Sequence, residues 1–158
     1  MKIKIFFYTI LLIAFSFKAW ADNYPKNYNV DVIHYSFKIQ LSDKTDEIIG
    51  TTKIKVTFKK ENVKDFRLDL VNLDSNLKKG MQVEEVYYNG TTAQFTHQQN
   101  NLTIHWDNGS LKDQIGEFTI KYKGIPAGGL KIGLNKYGER CFFNENWPNN
   151  TRHWLPTI

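Results

Sequence analysis

Lys53-Ile-Lys-Val-Thr-Phe-Lys59 decides the fold class, because its apolar and polar residues alternate one by one. Ile54, Val56 and Phe58 fall on one face of an extended strand, and the lysines and Thr57 fall on the other, basic face. The pattern predicts a half-buried β-strand whose apolar face points into a protein core.

The same alternation recurs in short runs along the chain, and turn-forming residues separate them. Val30 to Leu41 carries it with a shift of phase near His34, which predicts a β-bulge. Asn89-Gly90 predicts a tight hairpin turn, and Asn100-Asn101 predicts another. The other runs are Phe66 to Leu70, Val83 to Tyr88, Ala93 to Thr96, Leu102 to Trp106 and Phe118 to Tyr122. Closely spaced short strands without a helical period predict an all-β fold, an antiparallel sandwich or barrel.

The first 21 residues are a predicted signal peptide. Lys2 and Lys4 precede an apolar run, Ile5 to Phe17, and Ala19-Trp20-Ala21 places small residues before a cut after Ala21. The run has 13 residues, which is short for a bilayer-spanning helix. We therefore expect a helical, cleaved signal and a secreted or periplasmic protein, with a retained membrane anchor as the alternative.

Cleavage would leave residues 22–158 as one mature β domain. Its net charge would be +2 instead of +5, because three of the lysines lie in the signal. A nearly neutral domain argues against nucleic acid as a partner, since phosphate binding depends on basic side chains. One cysteine, Cys141, excludes an internal disulfide.

The sequence lacks the motifs of several common catalytic sites. No Gly-x-Ser-x-Gly elbow, no phosphate-binding loop and no His-Glu-x-x-His occurs. His97 and His105 flank a predicted hairpin and could face each other, although solvent-facing or cross-strand-paired histidines are favoured over a metal pair. Phe142 and Phe143 follow Cys141, which predicts a buried structural thiol rather than a nucleophile.

The last thirty residues are richer in aromatic residues, Gly and Pro than the rest of the chain. Trp147 and Trp154 occur close to the Arg152-His153 pair and to two prolines. Such a segment indicates a packed loop that lines a site. Equally, the two indoles and Arg152 could simply fasten the loop to the sandwich.

The run Asn146-Trp-Pro-Asn-Asn-Thr-Arg-His-Trp-Leu-Pro156 resembles a motif in the N-terminal domain of the aminopeptidase N family of zinc metallopeptidases. The resemblance extends to Gly129-Leu130, Asn135 to Arg140, Tyr28 to Tyr35, Gly50 to Val56 and Arg67 to Leu70. It implies a saddle-like antiparallel β-sandwich that lies against a catalytic domain and forms one wall of the substrate cleft. It covers residues 22–158 and implies a domain that is incomplete at its C-terminal end.

The resemblance further implies a zinc-dependent aminopeptidase, a hydrolase that removes N-terminal residues from peptide substrates. The family's Gly-Ala-Met-Glu-Asn motif, its His-Glu-x-x-His helix and its third zinc ligand have no counterpart in the sequence. We therefore expect this chain to contain no catalytic residue and no zinc ligand, and to be inactive alone. Peptide substrates are the expected partners, with no nucleic acid and no stable membrane span after cleavage.

Two substrate-binding residues follow from the same resemblance. Many family members place Gln or Glu five residues before the motif arginine, where it holds the substrate's amine. Trp147 stands at that position here, and Glu145 is the nearest carboxylate. We predict that Trp147 packs along the first side-chain subsite, that Glu145 reaches the amine, and that Arg152 bonds nearby carbonyls. The alternative is a stand-alone secreted β-sandwich module for binding or adhesion, whose aromatic loop recognises a peptide or a glycan.

Overall fold

The computed structural model describes residues 27–158, so the predicted signal peptide at 1–21 lies outside the described residues. Almost all regular structure in this part is β-strand, which confirms the all-β prediction. The strands are β1 (Val30–Gln40), β2 (Ile48–Phe58), β3 (Asp65–Asp69), β4 (Gly80–Tyr88), β5 (Thr91–Thr92), β6 (Gln94–Gln98), β7 (Asn101–His105), β8 (Ile115–Ile125), β9 (Leu130–Leu134) and β10 (Arg140–Asn144), followed by a 3₁₀ helix at Asn150–His153. No helix within 27–158 is long and apolar enough to cross a membrane.

The strands form a sandwich of two antiparallel sheets and a separate hairpin. One sheet has five strands in the order β1-β2-β8-β4-β5, and the other has three in the order β3-β7-β6. Phe66 of β3 stacks on Phe118 of β8 with ring centroids 4.8 Å apart, so the two sheets meet face to face. Ile54, Val56 and Phe58 of β2 are fully buried between them, as their alternation predicts.

Two predicted local features of the strands are confirmed. The pairing of β1 with β2 shifts register between Val32 and His34, which is the bulge. Asn89 and Gly90 have φ values of 48° and 83° and connect β4 to β5, as a type I′ turn requires.

The next turn lies one residue earlier than predicted. Gln98 pairs with Asn101, so the two turn residues with positive φ are Gln99 and Asn100, and Asn101 already belongs to β7. Three consecutive polar residues, Gln99, Asn100 and Asn101, all tolerate a turn, and the pairing of the flanking apolar residues selects the register.

His97 and His105 do not face each other, so the metal pair that the sequence allowed but did not favour is absent from this hairpin. The register pairs His97 with Leu102 and His105 with Gln94, which places the two rings on opposite faces of the hairpin. The His97 ring lies 2.9 Å from the carbonyl oxygen of Leu70, so its Nε2–H is placed to donate to that carbonyl.

We predict that acidification destabilises the protein through His97. Burial lowers the pKa of His97 because desolvation penalises the imidazolium. The unfolded chain therefore binds this proton at a higher pH than the folded protein, so stability is complete above the ordinary histidine pKa and is lost as pH falls below it. Urea unfolding at a series of pH values measures the slope of the free energy of unfolding against pH.

His97→Gln should flatten that slope, because glutamine does not titrate and its amide keeps a hydrogen-bond donor. His34→Gln serves as the matched control, since His34 is exposed on β1. An unchanged slope in His97→Gln would contradict the prediction.

The β9–β10 hairpin lies inside the segment that the sequence indicated as a packed loop. Leu134 and Phe143 are 70% and 60% exposed, so burial does not follow the alternation that marks the other strands. Ile132 and Phe142 pack partly against the core. Cys141, adjacent to Phe142, points to the opposite side and is exposed, so the prediction of a buried thiol is wrong.

Candidate functional site

The terminal segment, residues 144–158, is tied to the three-stranded sheet by backbone hydrogen bonds. The N–H of Asp69 donates to the carbonyl of Thr157 at 2.7 Å, and the N–H of Thr157 donates back at 3.2 Å. The N–H of Val71 donates to the carbonyl of Arg152 at 2.8 Å. These bonds hold the segment along the end of β3.

Asp69 fastens the same segment through its side chain. The side chain is 6% exposed, and its two carboxylate oxygens meet Arg67 Nη2 at 3.2 Å and Arg152 Nη1 at 3.3 Å. Two guanidinium groups thus compensate one buried carboxylate, which would be costly without a partner. Arg152 has the fastening role that the sequence left open, but its side chain binds a carboxylate rather than the predicted carbonyls.

Gly129 lets the chain before β9 approach the terminal segment closely. Its φ is +74°, and a Cβ at this position would overlap the carbonyl oxygen of Asn150 and crowd the Trp154 ring. Its own carbonyl accepts the N–H of Glu145 at 2.6 Å. Beside it, the Trp154 indole N–H donates to Asn146 Oδ1 at 3.1 Å. Only glycine fits here without moving the segment.

Glu145 and Trp147, the predicted substrate-binding residues, lie in an exposed turn between β10 and the 3₁₀ helix. Trp147 is 85% exposed, and its carbonyl accepts the side-chain amide of Asn150 at 3.0 Å. The carboxylate of Glu145 is exposed and accepts from Lys131 Nζ at 2.6 Å. The hydrogen bond and the positive charge of Lys131 lower the pKa of Glu145. Lys131 is a contact that sequence reasoning missed.

We predict that Lys131→Met raises the pKa of Glu145 towards its ordinary value. Methionine keeps the length of the lysine side chain but removes the ammonium that stabilises the carboxylate. A pH titration of the Glu145 carboxyl resonance by NMR measures the change. Lys136→Met, in the loop between β9 and β10, is the matched control. An equal shift of the Glu145 pKa in both variants would contradict a direct ion pair between Lys131 and Glu145.

A groove of about 770 Å³ runs between β1 and the terminal segment. Val32 and Tyr35 line it on one side, and Arg152 and Ile158 line it on the other. The Tyr35 hydroxyl accepts the N–H of Ile158 at 3.1 Å, and burial raises the pKa of Tyr35. This contact links the end of the terminal segment to the five-stranded sheet.

The described residues do not fit a zinc site. Within 27–158, no three His, Cys, Asp or Glu side chains lie close enough together to share a metal ion. Zinc centres in proteins take three or four such ligands.

Solved structures with a similar fold come from zinc metallopeptidases. A two-domain M1 zinc metallopeptidase bound to L-tryptophan is 19% identical with a TM-score of 0.65, and the match covers 83% of this chain and 30% of that chain. The M1 zinc metallopeptidase of Deinococcus radiodurans bound to a Tyr-Ser-Ala substrate is 17% identical with a TM-score of 0.63, covering 82% and 29%. Native leukotriene A4 hydrolase from Saccharomyces cerevisiae is 18% identical with a TM-score of 0.65, covering 93% and 24%.

No protein-family model and no curated protein matches the sequence. The chain spans about a quarter to a third of the length of the solved structures it resembles. Because the sequence identities are below 20%, the similarity shows a shared fold alone. The β-sandwich of this chain therefore has the fold of one part of the M1 zinc metallopeptidases.

Proposed function

We propose that this chain is the N-terminal, cleft-lining β domain of a zinc-dependent aminopeptidase, and that it is inactive by itself. The observation that carries the proposal is the likeness to M1 zinc metallopeptidases over 82–93% of this chain but only 24–30% of theirs. The resemblance of residues 146–156 to the family's motif supports it from the sequence, and Arg152 of that motif binds the buried Asp69.

The terminal segment suits a substrate-binding wall because part of it is held against the sandwich, whereas its turn at residues 145–147 is exposed to solvent. The ion pair of Arg152 with Asp69 and the close approach of Gly129 hold the segment in place. The side chains of Glu145 and Trp147 remain accessible to a ligand. Binding groups are most effective when rigid neighbours hold them in place. In the proposed role, the Trp147 ring packs against the first side chain of a peptide.

The Glu145 carboxylate would accept hydrogen bonds from the peptide's α-ammonium group. Lys131 Nζ, 2.6 Å from Glu145 Oε2, now occupies one place such a cation would take. The lowered pKa of Glu145 keeps its carboxylate ionised, as binding a cation requires. Hydrolysis itself would be carried out by other parts of the enzyme, and export to the periplasm or the exterior would follow from the signal peptide predicted at 1–21.

We predict that Trp147→Ala and Glu145→Gln, made in the intact enzyme, each raise KM for an aminoacyl anilide. We expect about a tenfold rise, which corresponds to about 1.4 kcal/mol of binding free energy. Tyr28→Ala is the matched control, because Tyr28 is also a highly exposed aromatic residue, at 75%, and lies outside the β9–β10 hairpin and the turn that follows it. An unchanged KM in both test variants would show that neither Trp147 nor Glu145 binds the substrate.

The transcript provides a direct test of the proposed function. We expect codons for His-Glu-x-x-His within roughly one further domain length beyond the codon for Ile158. A stop codon followed by unrelated sequence would overturn the proposal. The isolated chain should contain no zinc and should not hydrolyse an aminoacyl anilide, and zinc-dependent activity of that chain would contradict its proposed inactivity.

A stand-alone binding module is the second candidate, and one observation favours it. Tyr137, Phe143 and Trp147 are 74%, 60% and 85% exposed along β9–β10 and the following turn. Exposed aromatic rings are typical of surfaces that bind sugars or peptides. Quenching of tryptophan fluorescence by an oligosaccharide, lost in Trp147→Ala, together with a stop codon after Ile158, would favour this function.

A further inference from the structure

β1 is a long edge strand of the five-stranded sheet. It has 11 residues, and within residues 27–158 β2 is its only neighbour in the sheet. The strand at the opposite edge, β5, has two residues. An edge strand leaves backbone N–H and C=O groups available to another chain, so β1 offers a long template for strand pairing.

The part of β1 beyond the bulge has little of the protection that edge strands normally carry. Charged side chains, prolines and bulges prevent unwanted pairing. From His34 to Gln40 there is no proline and the one permanently charged residue is Lys38. Phe37 is 39% exposed, and its ring stacks on Tyr35 with centroids 5.6 Å apart. An apolar surface therefore lies beside the backbone groups that β1 turns away from β2.

The bulge-free part of β1 is also complementary to a second copy of itself. His34–Gln40 pairs with β2 without interruption, and Phe37 is its central residue. In an antiparallel pair centred on Phe37, that residue meets its own copy, and Tyr35 meets Ile39 on the same face. On the other face Ser36 meets Lys38, and His34 meets Gln40. No two lysines oppose each other, so the pairing carries no direct charge repulsion.

We propose that β1 is the contact surface of a homodimer, in which His34–Gln40 of two copies pair antiparallel about a twofold axis at Phe37. The pairing joins the two five-stranded sheets into one continuous sheet. Isologous contacts of this kind are the most common in homo-oligomers. The interface uses no residue of the terminal segment, so the inference is independent of the proposed function.

The dimer should be weak and reversible. A contact limited to seven residues of one strand belongs to the small interfaces, below about 1,200 Å², that are typical of transient complexes. Light scattering coupled to size exclusion should therefore show the molar mass rising from one towards two chain masses between micromolar and millimolar concentration. A single chain mass throughout that range would overturn the proposal.

Phe37→Lys should abolish the rise in mass, because it places two lysines opposite each other at the twofold axis. Leu111→Lys is the matched control, since Leu111 is 71% exposed in a loop, and it should dimerise like the parent protein. Circular dichroism verifies that both variants fold. Dimerisation that persists in Phe37→Lys would show that another surface is used and would overturn the proposal.

The register is tested by cross-linking. In a Cys141→Ser background, which removes the exposed native thiol, Ser36→Cys combined with Lys38→Cys should form an intermolecular disulfide-linked dimer under mild oxidation. Ser36→Cys combined with Leu111→Cys should not form it above the background level. Equal yields for the two pairs would contradict the pairing centred on Phe37.

Discussion

Asp69→Ala should lower the free energy of unfolding by about 3 kcal/mol, because it leaves two arginines without their shared carboxylate. Asp69 is buried, and its oxygens meet Arg67 and Arg152 at 3.2 and 3.3 Å. Both guanidinium groups are partly exposed, so water can solvate them after the substitution. The expected loss of stability is therefore at the lower end of the range that is typical when one partner of a buried ion pair is removed. Urea unfolding followed by circular dichroism measures the change.

The loss should be concentrated where Asp69 holds the terminal segment. Hydrogen exchange should accelerate at the amides of Val71 and Thr157, whose partners lie across that contact. Asp65→Ala, on the exposed end of the same strand, is the matched control and should change stability by no more than about 0.5 kcal/mol. Similar losses in the two variants would show that the ion pairs do not fasten the segment.

Gly50→Ala should lower the free energy of unfolding by about 2–3 kcal/mol through steric overlap in the core. Gly50 of β2 lies directly opposite Tyr122 of β8, and the Tyr122 ring covers the glycine. A Cβ at position 50 would overlap that ring, which is fully buried, and side chains in a close-packed core move only at a cost in free energy. Thermal or chemical unfolding measures the loss.

Gly133→Ala provides the matched control for this substitution. Gly133 also lies in a strand, but nothing lies within 4 Å of the position that its Cβ would take. We expect a change within about 0.5 kcal/mol there. In a Tyr122→Leu background, Gly50→Ala should cost less than in the parent protein, because the overlapping ring is gone. An equal cost in both backgrounds would rule out the ring as the cause.

The sandwich is predictable from the sequence where one face of a strand is buried and the other is exposed. Ile54, Val56 and Phe58 satisfy that condition, and their alternation therefore predicts β2. The β9–β10 hairpin does not satisfy this condition, because Leu134 and Phe143 remain largely exposed. Hydrophobic alternation reports burial, so a strand that packs only partly against the core leaves no clear pattern.

The same limit explains why Asp69 was not predicted as a site residue. Phe66 and Leu68 point into the core, so alternation places Asp69 on the outer face of β3. The terminal segment pairs with the edge of β3 at Asp69, and its Arg152 lies 3.3 Å from the Asp69 carboxylate, which is 6% exposed. A contact between residues so far apart in sequence leaves no local signal, whereas Glu145 and Trp147 could be proposed because a motif surrounds them.

Purification of the native polypeptide tests the proposed function most directly. An antibody raised against residues 27–158 would capture the protein from its source, and the captured material would be assayed for bound zinc and for hydrolysis of an aminoacyl anilide. We predict equimolar zinc, chelator-sensitive aminopeptidase activity and a polypeptide several times longer than 158 residues, since this fold spans 24–30% of the similar metallopeptidases. A captured polypeptide with neither zinc nor aminopeptidase activity would contradict the assignment.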